Sequence, residues 1–406
     1  MLLTALVVPN FTNAETISSD DKREAIQNKL VELSHNRNPD ILGELDVIDQ
    51  QEIIKNSVAW IVNSQLDSGR FNYEYLPYLD KYTDDDNIVR QAGTLYSLAM
   101  TARRDVDNKY DLEPTIRKSL EYLESISESG EFNDRDFLCV LDRRLGDKCK
   151  LGATALTLAA MMESFQAYPE LESDYQDLAK EYKEYLLAVR NPDAGFRGYF
   201  NPKPNGLQTS KESSFFNGET LLALTMYQQY KPESEIESTI KEVFTYVLTT
   251  ADRDPGLYLW AMASVNLLDQ HYSDSRYLPY IRLYVGERLA TARAKSQSVS
   301  NYCAYTEGLA SASVMMSRHL DDADMSFYTD NLNTALSKNA TLQITSDDIV
   351  RMSIVPELDF LSINNPEQAI GGFLTGQNDL MQRIDYTQHC LSAYVINLVD
   401  LNGQSL

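Results

Sequence analysis

The chain has 406 residues, 43% of them hydrophobic, which is ample for a large core and long enough for two or three domains. Its formal net charge is −24, so nucleic acid and anionic membrane surfaces are excluded as partners, because both need a basic surface. Tyrosine is abundant (25) and tryptophan rare (2); tyrosine offers a ring for packing and a hydroxyl for hydrogen bonding, which suits helix interfaces and polar clefts alike.

Taken in chain order, the first stretch is "MLLTALVVPNFTNAETISSDD". Leu2–Val8 is apolar, and Thr12-Asn13-Ala14 offers a small-residue site before Glu15. This looks like the end of a secretory signal peptide without its positive leading region. Residues 1–20 are therefore expected to be a signal-peptide remnant or a flexible N-terminus, with residues 21–406 forming one domain. No other stretch is apolar for long enough to span a bilayer. The expectation is a protein exported to the periplasm or the exterior.

From here the chain alternates between two kinds of helix. "QEIIKNSVAWIVNSQL" (51–66) is amphipathic, with one apolar stripe at helical spacing. The loop "SGRFNYEYLPYLDKYTDDD" (68–86) follows, and then "NIVRQAGTLYSLAM" (87–100), which is apolar and rich in small residues. Asp84, Asp85, Asp86, Arg90 and Gln91 gather at its start. The amphipathic "PTIRKSLEYLESI" (114–126) leads to "CVLDRRLGDKC", where Cys139 and Cys149 flank a loop that a local disulfide can close in an oxidising compartment. "LGATALTLAAMMESF" (151–165) is the second apolar helix, with Lys148 and Lys150 before it.

"YQDLAKEYKEYLLAV" (175–189) is again amphipathic, followed by the long loop 191–214 and by "FNGETLLALTMYQQY" (216–230), whose start carries Asn217 and Glu219. "IESTIKEVFTYVLTT" (236–250) precedes "GLYLWAMASVNLLDQ" (256–270), which offers Tyr258 and Trp260. The outer-type stretch 277–293 precedes "YTEGLASASVMMSRH" (305–319), with Tyr302, Tyr305 and Glu307 at its mouth. The last amphipathic stretch is 325–337; a long connection from Lys338 to Met381 then leads to "QRIDYTQHCLSAYVINLVDL" (382–401). Arg383, Asp385, Tyr386, Gln388 and His389 crowd the first turns of that final helix. Cys303 and Cys390 lie at the starts of apolar helices, as buried thiols or, if those helices are neighbours, as a pair.

The repeat spans roughly 45 to 75 residues, set mainly by loop length. Almost nothing alternates with period two, so little sheet is expected. Helices that are apolar all round must be buried on all sides, and six of them need six others as cover. An inner ring wrapped by an outer ring, an all-α (α/α)6 toroid, satisfies this; an open array would need polar end caps, and the first and last apolar helices have none. The long connections run from outer to inner helices, which places them on one face with the inner N-termini. Long ordered loops in a compact domain are usually functional.

The hairpins, the "GRF", "AGF" and "GGF" loops and the small-residue inner helices resemble the (α/α)6 toroid superfamily: six-hairpin glycosidases, polysaccharide lyases, sugar epimerases and the terpene cyclase and prenyltransferase fold. "WIVNSQLDSGRF" (60–71) is loosely similar to the repeat of the cyclase branch. The resemblance covers nearly the whole chain and is architectural; it implies the fold, and no family-defining catalytic motif accompanies it.

Glu219 and Glu307 occupy equivalent places, each beside a glycine just inside a helix that should be buried. A buried carboxylate costs several kcal/mol unless paired. Such acids either cap helix starts or, brought around one axis with Asp385, serve as the protonated and ionised carboxylates of glycoside hydrolysis. In that reading Glu219, Glu307, Asp385 and His389 are the reacting groups. Arg90, Gln91, Asn217, Tyr258, Trp260, Tyr305, Arg383, Tyr386 and Gln388 bind the sugar. The alternative is a polysaccharide lyase or uronate epimerase in which His389 or a tyrosine removes a proton beside a carboxylate neutralised by Arg90. A non-catalytic glycan-binding or assembly protein is the third reading. No cofactor is expected: the chain has no phosphate loop, dinucleotide fingerprint or nucleophile elbow. Cys303, His389 and Cys390 are residue types found in the zinc set of lanthionine-forming toroids, but their flanking motifs do not match, and no metal is expected. The oligomeric state is left open.

Overall fold

The computed structural model describes residues 45–203, 206, 208–249, 255–294, 301–349, 363–376 and 379–406. The expected leader at 1–20 lies outside these residues. Twelve long helices alternate along the described chain. The outer ones are α1 (Val47–Asn63), α3 (Glu113–Ser125), α5 (Pro169–Ala188), α7 (Ser234–Thr249), α9 (Tyr277–Ala294) and α11 (Asp322–Ala340). The inner ones are α2 (Ile88–Arg104), α4 (Leu151–Ala167), α6 (Ser214–Tyr230), α8 (Pro255–His271), α10 (Cys303–Ser317) and α12 (Ile384–Val395), which runs on as a π-helix over Ile396–Leu401.

Burial separates the two sets as the sequence pattern requires. Helix α4 buries every residue from Leu151 to Phe165. Helix α3 buries only Thr115, Ile116, Ser119, Leu120 and Leu123, a single stripe at helical spacing. The inner helices touch in order, α2 to α4, α6, α8, α10 and α12, and α12 meets α2 again, so the ring is closed. Each later outer helix lies chiefly against the inner helix before it in the chain, while α1, which has none before it, covers α12. The fold is thus the expected (α/α)6 toroid.

Closure is reinforced by a sheet made from the first and last long connections. Strands β1 (Glu74–Leu76) and β2 (Lys81–Tyr82) precede α2. Strands β7 (Leu374–Gly376) and β8 (Asp379–Arg383) precede α12, and the four run β2-β1-β8-β7 with Glu74 opposite Arg383. Gln382 and Arg383, expected in the opening turn of the last helix, belong instead to the strand Asp379–Arg383, and the helix begins at Ile384.

A second sheet corrects the reading of the Cys139–Cys149 segment as a loop. Strands β3 (Ser127–Phe132), β4 (Arg135–Asp142), β5 (Lys148–Lys150) and β6 (Tyr199–Phe200) form it in that order. Leu138 to Asp142 are nearly all buried, on both faces of β4, because the strand is covered by α5. A strand buried on both faces shows no alternation, which is why period two was not visible. Cys139 and Cys149 are bonded across β4 and β5, and Cys303 and Cys390 are bonded between α10 and α12, with Cα separations of 5.5 and 4.6 Å.

The "GRF", "AGF" and "GGF" loops share one conformation. Gly69, Ala194 and Gly371 have φ of +85°, +78° and +97°. Two residues later, Phe71, Phe196 and Phe373 form bridges to Gln65, Arg190 and Gln343 and are fully buried. The fourth residue of the following inner helix then accepts the phenylalanine N–H: Gln91 Oε1 at 2.8 Å, Asn217 Oδ1 at 3.0 Å and Thr387 Oγ1 at 3.1 Å. Gln91 and Asn217 also donate, to Phe71 O and to Glu212.

Removing such an acceptor leaves a buried N–H unpaired. Asn217→Ala is expected to lower the unfolding free energy by about 1–3 kcal/mol, measured by urea denaturation. An unchanged midpoint would show that the loop does not depend on this clamp.

Candidate active site

In four inner helices the residue at the cap position makes no side-chain bond to the helix: Lys150 before α4, Ser213 before α6, Tyr302 before α10 and Arg383 before α12. In three of them the first N–H is held by a connecting segment instead: Leu151 donates to Gly198 O, Ile384 to Tyr73 O and Cys303 to Asn301 Oδ1.

Glu219 is the sixth residue of α6 and has no exposed surface. Its carboxylate lies against Gly152 of α4, where an added Cβ would collide with Oε2. The glycine beside the second helix mouth, passed over in the sequence, is what admits the acid. Neither carboxylate oxygen has a hydrogen-bond partner among the described residues. Burial pushes the Glu219 pKa up to about 7, against the pull of Arg90 and Lys150. Lys150 itself donates to Asp142 at 2.7 Å.

Asp385, on the first turn of α12, has the opposite setting. Arg383 grips it in a fork, Nε–Oδ1 at 2.9 Å and Nη2–Oδ2 at 2.5 Å. Arg90 of α2 approaches Oδ2 at 3.1 Å. The Arg383 guanidinium lies over the rings of Tyr73 and Tyr386, at 5.1 and 4.6 Å, which fixes its plane. Arg90 therefore stands within electrostatic reach of both Asp385 and Glu219.

The third carboxylate is partnered by the imidazole. Glu307 Oε2 and His389 Nδ1 are 2.7 Å apart, and both residues are buried. Burial raises the Glu307 pKa, while His389 and Ser392 hold it back. The edge of His389 meets Trp260 of α8 at 6.1 Å between ring centroids. Gly218 of α6 allows Trp260 to come this far in, since a Cβ there would be 2.7 Å from the Trp260 Cβ. Tyr258 and Tyr305 stack at 5.6 Å with 15° between planes, and Gly308 gives Tyr258 its room.

Several residues expected to bind sugar face elsewhere. Gln91 and Asn217 are spent on the loop clamps. Gln388 accepts from Thr94 at 2.6 Å and lies on Gly93, so it joins α12 to α2. Asp85 pairs with Arg144 and Asp86 with Arg70, as exposed or half-buried ion pairs. Glu219, Asp385 and Arg90 form one group and Glu307, His389 and Trp260 form another, while Tyr258, expected to bind sugar with Tyr305, packs against Tyr284 and Arg288 of the outer helix α9. Ser392 was not identified from the sequence, since only its neighbour across the ring gives it a role, and Lys150 was visible only as a cation before the second inner helix.

No family model matches the sequence, and no curated protein is similar to it. Solved structures do match. The GH76A alpha-1,6-mannanase from Salegentibacter sp. HEL1_6 superposes with a TM-score of 0.61 at 12% identity, over 87% of this chain and 100% of that one. Cellobiose 2-epimerase from Bacillus thermoamylovorans B4167 gives 0.59 at 11% identity, over 86% and 98%. A D-mannose isomerase gives 0.60 at 11% identity, over 89% and 100%. At these identities the likeness establishes the toroid fold.

A carboxyl whose pKa is raised on folding favours the folded state below its unfolded pKa, near 4.5, and that contribution is lost as pH rises through about 7. Glu219→Gln removes the penalty of ionisation. The variant should match wild-type stability near pH 4 and exceed it by about 3 kcal/mol above pH 8. Denaturation curves across that range that stay parallel would refute the assignment.

Proposed function

We propose that this chain is a carbohydrate-active enzyme, a glycoside hydrolase working at the mouth of the toroid. The observation that carries the reading is the contrast between two carboxylates sharing Arg90. Glu219 is buried with no hydrogen-bond partner among the described residues and holds its proton up to about pH 7. Asp385 meets two guanidinium groups. Carboxyl groups in opposed settings are what acid-assisted glycoside cleavage uses. In this reading Glu219, which has no exposed surface before the sugar binds, turns off Gly152 toward the mouth and gives its proton to the departing glycosidic oxygen as the C–O bond breaks. Asp385, as carboxylate, either takes a proton from the attacking water or attacks the anomeric carbon itself. The solved structures of like fold support the substrate class: one is an alpha-1,6-mannanase, and an inactive variant of it holds alpha-1,6-mannotriose.

A second reading rests on the Glu307–His389 contact. With Glu307 ionised, Nδ1 of His389 carries the hydrogen, and Nε2 is the nitrogen left to remove a proton from a sugar carbon. That chemistry belongs to an epimerase, an isomerase or a lyase, and structures of similar fold include a cellobiose 2-epimerase and a D-mannose isomerase. Export fits both readings: the two disulfides are stable in an oxidising compartment. Among the described residues no helix is long and apolar enough to cross a membrane.

The wild type, Glu219→Gln and His389→Asn should each be incubated in D2O with alpha-1,6-mannotriose, cellobiose and mannose. Hydrolysis predicts new reducing ends, lost roughly 100-fold or more in Glu219→Gln, with a rate that falls above about pH 7 as Glu219 ionises. Deuterium at the carbon beside the carbonyl without new reducing ends, abolished in His389→Asn, would replace the first reading with the second. Binding of these sugars without any product would make the chain a glycan-binding protein.

A further inference from the structure

Phe215 is the second residue of α6 and is 43% exposed, although its helix is otherwise buried from Phe216 to Gln228. Its direction follows from its neighbours. Phe216 lies against Gly152 of α4 on one side. Gly218 touches Trp260 and Leu257 of α8 on the other. The stripe between those two contacts faces the axis of the ring. Phe215 and Glu219 are four residues apart and share that stripe, with Phe215 one turn nearer the mouth. The ring is not adrift: it rests on the backbone of Gly256 at the start of α8, where any Cβ would collide with it.

Two aromatic stations thus stand along the seam between α6 and α8. Gly256 and Trp260 are four residues apart on α8, about 6 Å along the helix. The deep station, Trp260, abuts His389. The shallow one, Phe215, is open to solvent, and that spacing is comparable with one pyranose ring. We infer that Phe215 is an outer sugar-binding station, stacking on the apolar face of a pyranose placed one turn above the reacting carboxylates, so that the site takes an oligosaccharide of at least two units. This rests on the carbohydrate-active reading and deepens it.

The test is calorimetric titration of mannose, alpha-1,6-mannotriose, glucose and cellotriose into the full chain. Three proteins are compared: one carrying Glu219→Gln alone, to stop turnover, and that protein with Phe215→Ala or Phe215→Trp added. Phe215→Ala should raise the Kd of a bound trisaccharide roughly tenfold and leave its monosaccharide unchanged. Phe215→Trp keeps an aromatic face and should keep the affinity. Equal affinities in Phe215→Ala, or equal losses for both sugar lengths, would overturn the inference and leave the wider reading intact. A Phe215→Ala protein that changes its sedimentation but not its sugar affinity would mark a contact between copies instead. If none of the four sugars binds the Glu219→Gln protein or the wild type, the carbohydrate-active reading falls and the inference falls with it.

Discussion

The closed contact between α12 and α2 is the constraint on which the rest of the structure depends. Helices with no polar face need a neighbour on each side, and a row of six has two exposed ends unless the ends meet. They meet along a polar seam. Thr94 bonds the Gln388 side chain at 2.6 Å, and Ser97 bonds both the Gln388 carbonyl and Ser392. These groups are buried, and each satisfies another, so the seam costs little while fixing the register of the two helices. The sheet that pairs β1 with β8 repeats the same joint at the mouth, and the Cys303–Cys390 bond ties α12 to its other neighbour.

Close approach around so small a ring depends on residues that are hardly there. Gly93 receives Gln388, Gly152 receives Glu219 and Phe216, Gly218 receives Trp260, Gly256 receives Phe215, and Gly308 receives Tyr258. In each case a side chain from one inner helix fills the space a Cβ would have taken on the next. The same feature that lets the ring close therefore brings polar and aromatic groups toward its axis. A carboxylate drawn in this way loses its water, and its charge becomes expensive unless a partner follows. Asp385 and Glu307 have partners; among the described residues Glu219 has none. That difference, rather than the number of acids at the mouth, separates their chemistry.

Much of this was legible in the residues. The count and order of the helices, the two kinds of helix and the closure of the ring follow from where apolar side chains recur. Glu219, Glu307, Asp385 and His389 could be singled out because a charged or ionisable group just inside an apolar helix is costly and so calls for a reason. The "GRF", "AGF" and "GGF" loops were visible as a repeat, but not their clamps, because the acceptors Gln91, Asn217 and Thr387 lie 20, 21 and 14 residues further on. The β3–β4–β5 segment was missed because β4 is buried on both faces and carries no alternation.

The sequence by itself determined the architecture, since burial pattern depends only on which residues recur at helical spacing. It could not determine which polar groups meet. Arg90 and Asp385 are almost three hundred positions apart in number and 3.1 Å apart in space; Glu307 and His389 are separated by 82 positions and by 2.7 Å. Whether a buried acid finds a cation, an imidazole or nothing is settled only when the ring closes, because electrostatic interactions fall off over a few ångströms and depend on what has excluded the water between them.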